Sequence, residues 1–87
     1  MDIIISPEKK KTEEKYFTHQ NCQLTVKPFK SNISGLTLFL QNANGHGRQI
    51  PLSDTEVGVT ENVTDFGYFW FEYSSCDKEY KVSVTVD

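Results

Sequence analysis

The chain has 87 residues, with 9 Lys+Arg against 12 Asp+Glu and 13% aromatic residues. A single domain of that size buries about 60–65% of the surface its unfolded form exposes, no run approaches the ~18 apolar residues of a membrane helix, and a net charge of -3 supplies no counterion-release drive toward nucleic acid. Hydrophobic content of 37% with six Phe and four Tyr excludes a disordered chain and suits a small β domain.

In chain order, Met1-Asp2-Ile3-Ile4-Ile5-Ser6-Pro7 lacks the basic start and apolar length of a signal peptide. That slightly favours the cytoplasm over a mature secreted domain. Asp2–Ile5 reads as a first strand. Residues 8–15, Glu-Lys-Lys-Lys-Thr-Glu-Glu-Lys, form a charge run. Ser6, Pro7 and Glu8 make a good helix start, but nothing apolar follows before Tyr16, so the run is expected to be a solvated linker or one loose turn. Glu13 and Glu14 nearly cancel its lysines. Residues 1–15 are therefore assigned to a strand and charged linker, and residues 16–87 to one β-sandwich domain.

Beyond Tyr16 the sequence reads as strands. Residues 22–27 and 36–41 alternate apolar and polar positions, the second with Leu36, Leu38 and Leu40 on one face and Phe39 on the other. The run Asn42-Ala43-Asn44-Gly45-His46-Gly47 must reverse the chain. Residues 48–52 suit an edge strand, because a central strand would not accept Pro51. Residues 56–60 are weakly strand-like, whereas 66–73 and 80–86 are the strongest strands. The total is about six to seven, at spacings that fit a small, two-layer, antiparallel sandwich.

The polar stretch 74–79 reads as a hairpin loop between the last two strands. Pairing Tyr73 with Tyr80 sets Glu72 opposite Lys81, Phe71 opposite Val82 and Trp70 opposite Ser83, each matched pair contributing roughly 0.2–1 kcal/mol. In this register Phe69, Phe71, Tyr73, Tyr80, Val82, Val84 and Val86 face the core. Tyr68, Trp70 and Glu72 take the opposite face, with Phe39. Two large aromatics among small polar groups suggest an exposed patch formed by Phe39, Tyr68 and Trp70. The competing arrangement covers these rings with the N-terminal arm, through Tyr16 and Phe17, or with a loop.

Other constellations carry less. His19, Cys22, His46 and Cys76 have the composition of a zinc site, but His19 and Cys22 point to opposite faces within a strand and the other two lack paired ligands, so no metal or cofactor is expected. Asp54, Glu56, Glu61, Asp65, Glu72 and Asp77 lie in a stretch without Lys or Arg. Their spacing does not match a calcium loop, and solvated strand edges explain them best. Two N-x-S/T sequons, at Asn32 and Asn62, stand against about one expected by chance. No nucleophile elbow, P-loop or metalloprotease motif occurs, and a chain this small has little room for a pocket of ~300 Å³ or more. No enzyme activity is expected.

In strand count and length the chain resembles immunoglobulin-like sandwiches, and the separation of Cys22 and Cys76 is similar to that of the fold's bridging pair. Trp70 and Ser74 depart from that pattern: the tryptophan is not midway between the cysteines, and serine stands where a corner tyrosine belongs. The sequence thus points to a non-enzymatic module that binds a protein partner through Phe39, Tyr68, Trp70 and Glu72, with acids around them. The alternatives are a carbohydrate-binding domain using the same aromatics, or an edge-strand subunit of a larger assembly through Pro51 or the Tyr80–Val86 strand.

Overall fold

A computed structural model describes residues 1–18 and 21–87. The described residues form β1 (Asp2–Ile5), β2 (Lys15–Tyr16), β3 (Gln23–Val26), β4 (Ile33–Ser34), β5 (Thr37–Gln41), β6 (Gly47–Pro51), β7 (Val59–Asn62), β8 (Tyr68–Glu72), β9 (Ser75–Cys76) and β10 (Tyr80–Val86). All pairings are antiparallel, in a first sheet ordered β1-β10-β3-β7, a second ordered β2-β8-β5-β6, and a short β4-β9 ribbon.

Alternation builds the core. Ile3, Ile5, Leu24, Val26, Val82 and Val84 from the first sheet and Leu38, Leu40, Phe69 and Phe71 from the second are all buried in one cluster. Each strand sends every second side chain to the shared interior, so the two sheets face each other as a sandwich. The strands expected from the sequence are present, except that the weak one at 56–60 lies later, at Val59–Asn62, after a turn at 55–57; β2, β4 and β9 are two-residue additions.

The expected closing hairpin does not form. β8 pairs with β5 and β2, and β10 pairs with β1 and β3, so consecutive strong strands lie in different sheets. Phe71 stands opposite Leu38 and Trp70 opposite Phe39, in place of Val82 and Ser83. The physical reason lies in the connection. Segment 74–79 is long enough to cross the ~10 Å between layers, and its backbone is satisfied on the way by β4, with Ser74 N–H donating to Ser34 O at 2.8 Å. The face assignment survives this correction for Phe69, Phe71, Tyr73, Val82 and Val84, which are buried, while Tyr80 and Val86 are half-buried. Nor is β10 an edge strand, since it sits between β1 and β3. β6, with Pro51, is one.

The charge run is neither a free linker nor a helix. After a turn at Pro7–Glu8, it runs along β8: Tyr73 N–H donates to Lys10 O at 3.0 Å, Thr12 N–H to Phe71 O at 2.9 Å, and Phe17 N–H to Gly67 O at 2.9 Å. Phe71 N–H in turn donates to the Thr12 hydroxyl at 2.9 Å. Thr12 is 9% exposed. The segment from Asp2 to Tyr16 therefore supplies an edge to both sheets, through β1 and β2.

Cys22 is buried ahead of β3 and Cys76 lies half-buried in β9, without a bridge between them. The parallel with the immunoglobulin bridging pair is not met. His19 lies outside the described residues. Among those described, no three His, Cys, Asp or Glu side chains come together to hold a metal ion.

Candidate functional site

Phe39, Tyr68 and Trp70 do share one surface, the outer face of the second sheet. Register places Phe39 directly opposite Trp70 and Tyr16 opposite Tyr68, while Tyr68 and Trp70 alternate along β8. The result is a continuous row of rings. Tyr16 meets Tyr68 at 5.2 Å between centroids, Tyr68 meets Trp70 at 5.7 Å with planes 21° apart, and Trp70 stacks on Phe39 at 5.2 Å and 11°. Such pairs add about 0.5–1.5 kcal/mol beyond their buried area.

Trp70 is not the exposed centre that the sequence suggested. The residue is only 7% exposed. Phe39 and Tyr68 pack against its ring, the Lys11 ammonium lies 4.8 Å from its centroid, and its indole N–H donates to Glu72 Oε2 at 2.8 Å. The N-terminal arm thus brings a cation onto the ring face, and the surround is mixed in charge rather than acidic throughout. What faces water is the rim of the row: Tyr16 is 67% exposed, and Phe39, Tyr68 and Glu72 are half-buried.

Beyond Phe39 the row ends at a hollow of about 320 Å³ lined by Phe39, Trp70, Gln41, Gln49, Gly45 and Gly47, with Leu40 and the charged Arg48 also on its wall. Gln49 stands opposite Phe39 and Gly47 opposite Gln41, so both occupy the same outer face. Gly47 is bare for a reason: a Cβ there would come within 2.8 Å of Leu40 O. Gly45, with φ 80°, closes the turn, and Asn42 Oδ1 accepts the Asn44 and His46 N–H groups at 2.9 and 3.0 Å. Arg48, which also borders the hollow, forms an ion pair with Glu61 of the first sheet at 3.1 Å.

Hollows of this size were not expected in so small a chain. They occur because they lie at the surface, where loops and strand edges meet, and take nothing from the core. One of about 410 Å³ lies between β1 and the arm, beside Ile4, Lys9, Lys11 and Lys15. Another, of about 520 Å³, lies among polar loops near Asn32, Asp54, Asp77 and Tyr80. There Asn32 N–H donates to Tyr80 Oη at 2.9 Å, Asn32 Nδ2 to Asp77 Oδ2 at 3.2 Å, and Tyr80 O–H to Asp77 Oδ1. The Tyr80 and Asn32 hydrogen bonds hold the Asp77 carboxyl below its usual range. Reciprocally, the bond to Asp77 raises the Tyr80 phenol. Partial burial, reinforced by the nearby Asp77 charge, pushes the Cys76 thiol up.

Three of the remaining acids are engaged locally. Asp54 Oδ1 accepts Glu56 N–H at 3.0 Å, Glu61 is held by Arg48, and Glu72 by the indole. No known family model matches this chain, and no curated protein or solved structure matches it either. Sequence reasoning left Lys11, Gln41, Gly47 and Gln49 out of the site. The alternation that placed Phe39 outward also places Gln41 outward, but nothing in the sequence announced that Lys11 would reach Trp70.

Proposed function

We propose that the chain is a non-catalytic recognition module whose outer second-sheet face, bearing Tyr16, Tyr68, Phe39 and Glu72 around the buried Trp70, binds a protein partner. The observation that carries this reading is the ring row itself. The solvent side of an antiparallel sheet is ordinarily polar, yet here four aromatic rings run across three strands with Tyr16 largely in water. Stacking fixes each ring, so a partner gains contact area without a large ordering cost. Trp70 acts as the support that orients the rim.

An oligosaccharide could stack on aromatic rings too, but the widest platform, the indole, is closed over by Phe39, Tyr68 and Lys11. A flat protein surface can use the ring edges that remain. The test is to select binders from a display library against the full chain and titrate them against Tyr16→Ala and Phe39→Ala. Affinity is expected to fall at least tenfold in both, with the Tyr16→Ala melting temperature within about 4 °C of the parent, as suits a surface change. Binders indifferent to both substitutions would refute the reading, and a salt-insensitive response on a glycan array would replace it.

A further inference from the structure

We infer that Ser53 is a phosphorylation site, the hydroxyl acceptor for a serine/threonine kinase that reads acidic residues downstream of its target. The inference is independent of the recognition reading and concerns the loop between β6 and β7. Sequence supplies the first argument. Ser53-Asp54-Thr55-Glu56 places carboxylates one and three residues after the hydroxyl, and no other serine or threonine of the chain has acids at both positions. Residues 49–77 contain no Lys or Arg to interrupt the pattern. Kinases sort substrates by such charge patterns, so a cleft lined with basic side chains is the one that accepts this segment.

The way the loop is anchored supplies the second. β6 ends at Pro51, and the next residue, Leu52, is buried with its N–H donating to Leu36 O at 2.8 Å. Thr55 O accepts the Phe29 N–H at 2.8 Å. Gly58 returns the chain to β7 at φ 77°, where a Cβ would meet Val26 O at 2.8 Å. Between these ties Ser53, Asp54, Glu56 and Val57 face water, Val57 being 71% exposed. The Ser53 hydroxyl makes no hydrogen bond among the described residues. The turn at 55–57 is closed by a Val57 N–H to Asp54 O contact of 3.4 Å, long for such a bond. Apart from the Asp54 carboxylate on Glu56 N–H, little holds this segment against straightening into a kinase cleft.

The fold also has a place for the product. In the transfer the Ser53 Oγ–P bond forms as the bond from the γ-phosphorus of ATP to its bridging oxygen breaks; ADP leaves, and the hydroxyl proton passes to the kinase's catalytic carboxylate. Phosphoserine then carries a charge of about -1.5 to -2. Ser53 borders the hollow of about 520 Å³, which has Lys30 and Lys78 on its wall. Neither lysine has an ion-pair partner among the described residues, although Lys78 lies 5.4 Å from the Tyr80 ring centroid. Three carboxylates share that wall. Asp77 is engaged by Tyr80 and Asn32, Asp54 by the Glu56 N–H, and Glu56 is exposed. The two ammonium groups are therefore the partners open to the phosphate.

The experiment incubates the full, folded chain with ATP and a purified acid-directed kinase of the casein-kinase type, and maps phosphate by mass spectrometry. One phosphate is expected, at Ser53, and none in Ser53→Ala. The rate should fall at least tenfold in Asp54→Asn and in Glu56→Gln, with melting temperatures within about 4 °C of the parent, as suits surface changes. Ser74→Ala, which removes a serine followed by an acid at the third position but not the first, should leave the rate unchanged. In the phosphorylated chain, Lys30→Gln and Lys78→Gln should each move the phosphorus-31 titration of phosphoserine to higher pH. No incorporation, phosphate at another residue, or transfer only after unfolding in urea overturns the site. Parental rates in both acid variants overturn the kinase class, and a titration unmoved by both lysine substitutions overturns the role given to the hollow.

Discussion

Replacing Thr12 by valine removes one oxygen and little volume, and it isolates the contact that ties the charged arm to the sandwich. Thr12 Oγ1 accepts the Phe71 N–H at 2.9 Å in a buried setting, with Phe71 itself fully buried. Water cannot replace the acceptor there, so valine strands a buried donor. A lost partner of that kind costs about 1–3 kcal/mol; the extra apolar contact of the new methyl returns part, leaving about 1–2 kcal/mol. For a domain of this length that is a fall in Tm of about 4–16 °C. Thr12→Ser supplies the control, because it keeps the oxygen and loses one methyl, worth about 0.8 kcal/mol. Amide exchange separates the two cases. The Phe71 N–H should exchange faster in Thr12→Val and stay protected in Thr12→Ser. A valine variant as stable as the parent, with Phe71 protection unchanged, would refute the argument that this hydroxyl secures the arm.

Trp70→Ala should destabilise by about 3–5 kcal/mol, the range for a buried aromatic, and the parent's fluorescence should be blue-shifted and poorly quenched by iodide; a red, freely quenched emission would contradict the covered indole. Acid should act through Asp77. Its folded carboxyl lies below the ordinary value, so its contribution is present above the unfolded pKa of about 3.9 and is lost as pH falls through the folded one; Asp77→Asn should flatten stability against pH below about pH 4, measured by urea melts. At the alkaline end, the raised Tyr80 phenol makes its contribution complete below about pH 10 and progressively lost above it, and Tyr80→Phe should remove that decline. Arg48→Ala should change stability by under about 1 kcal/mol, with salt having a similar small effect on the parent, because the pair with Glu61 is partly solvated.

Alternation was enough to read about six to seven strands and the inward side of β5, β8 and β10, down to Leu38, Leu40, Phe69 and Val84. It could not reveal which strand lies beside which. Parity tells a side chain which way to face, and β8 and β10 satisfy it equally well in one sheet or in two. The apparent match of Glu72 with Lys81 therefore misled, since Glu72 instead stands opposite Thr37 and binds the Trp70 indole. The cover over Trp70 was hidden for the same reason, because it depends on β5 being the neighbour of β8. Residues 8–15 escaped recognition differently: with no apolar side chain to bury, they are held through backbone groups and one hydroxyl, which leave almost no trace in composition. Pro51 was legible as an edge marker because its missing N–H is a local property.

The place of β10 between β1 and β3 bears on the order of events during folding. Among the longer strands of the described residues, β5 and β6 alone are joined by a short reversal, so that hairpin is the natural early nucleus. The first sheet must wait until residues 80–86 have left the ribosome, because they form its interior rail. Until then the triple isoleucine near the start has no partner for its backbone. A nascent chain stalled before residue 80 should consequently be a substrate for chaperones, and the completed one should fold slowly for its size, as topologies that join distant segments do.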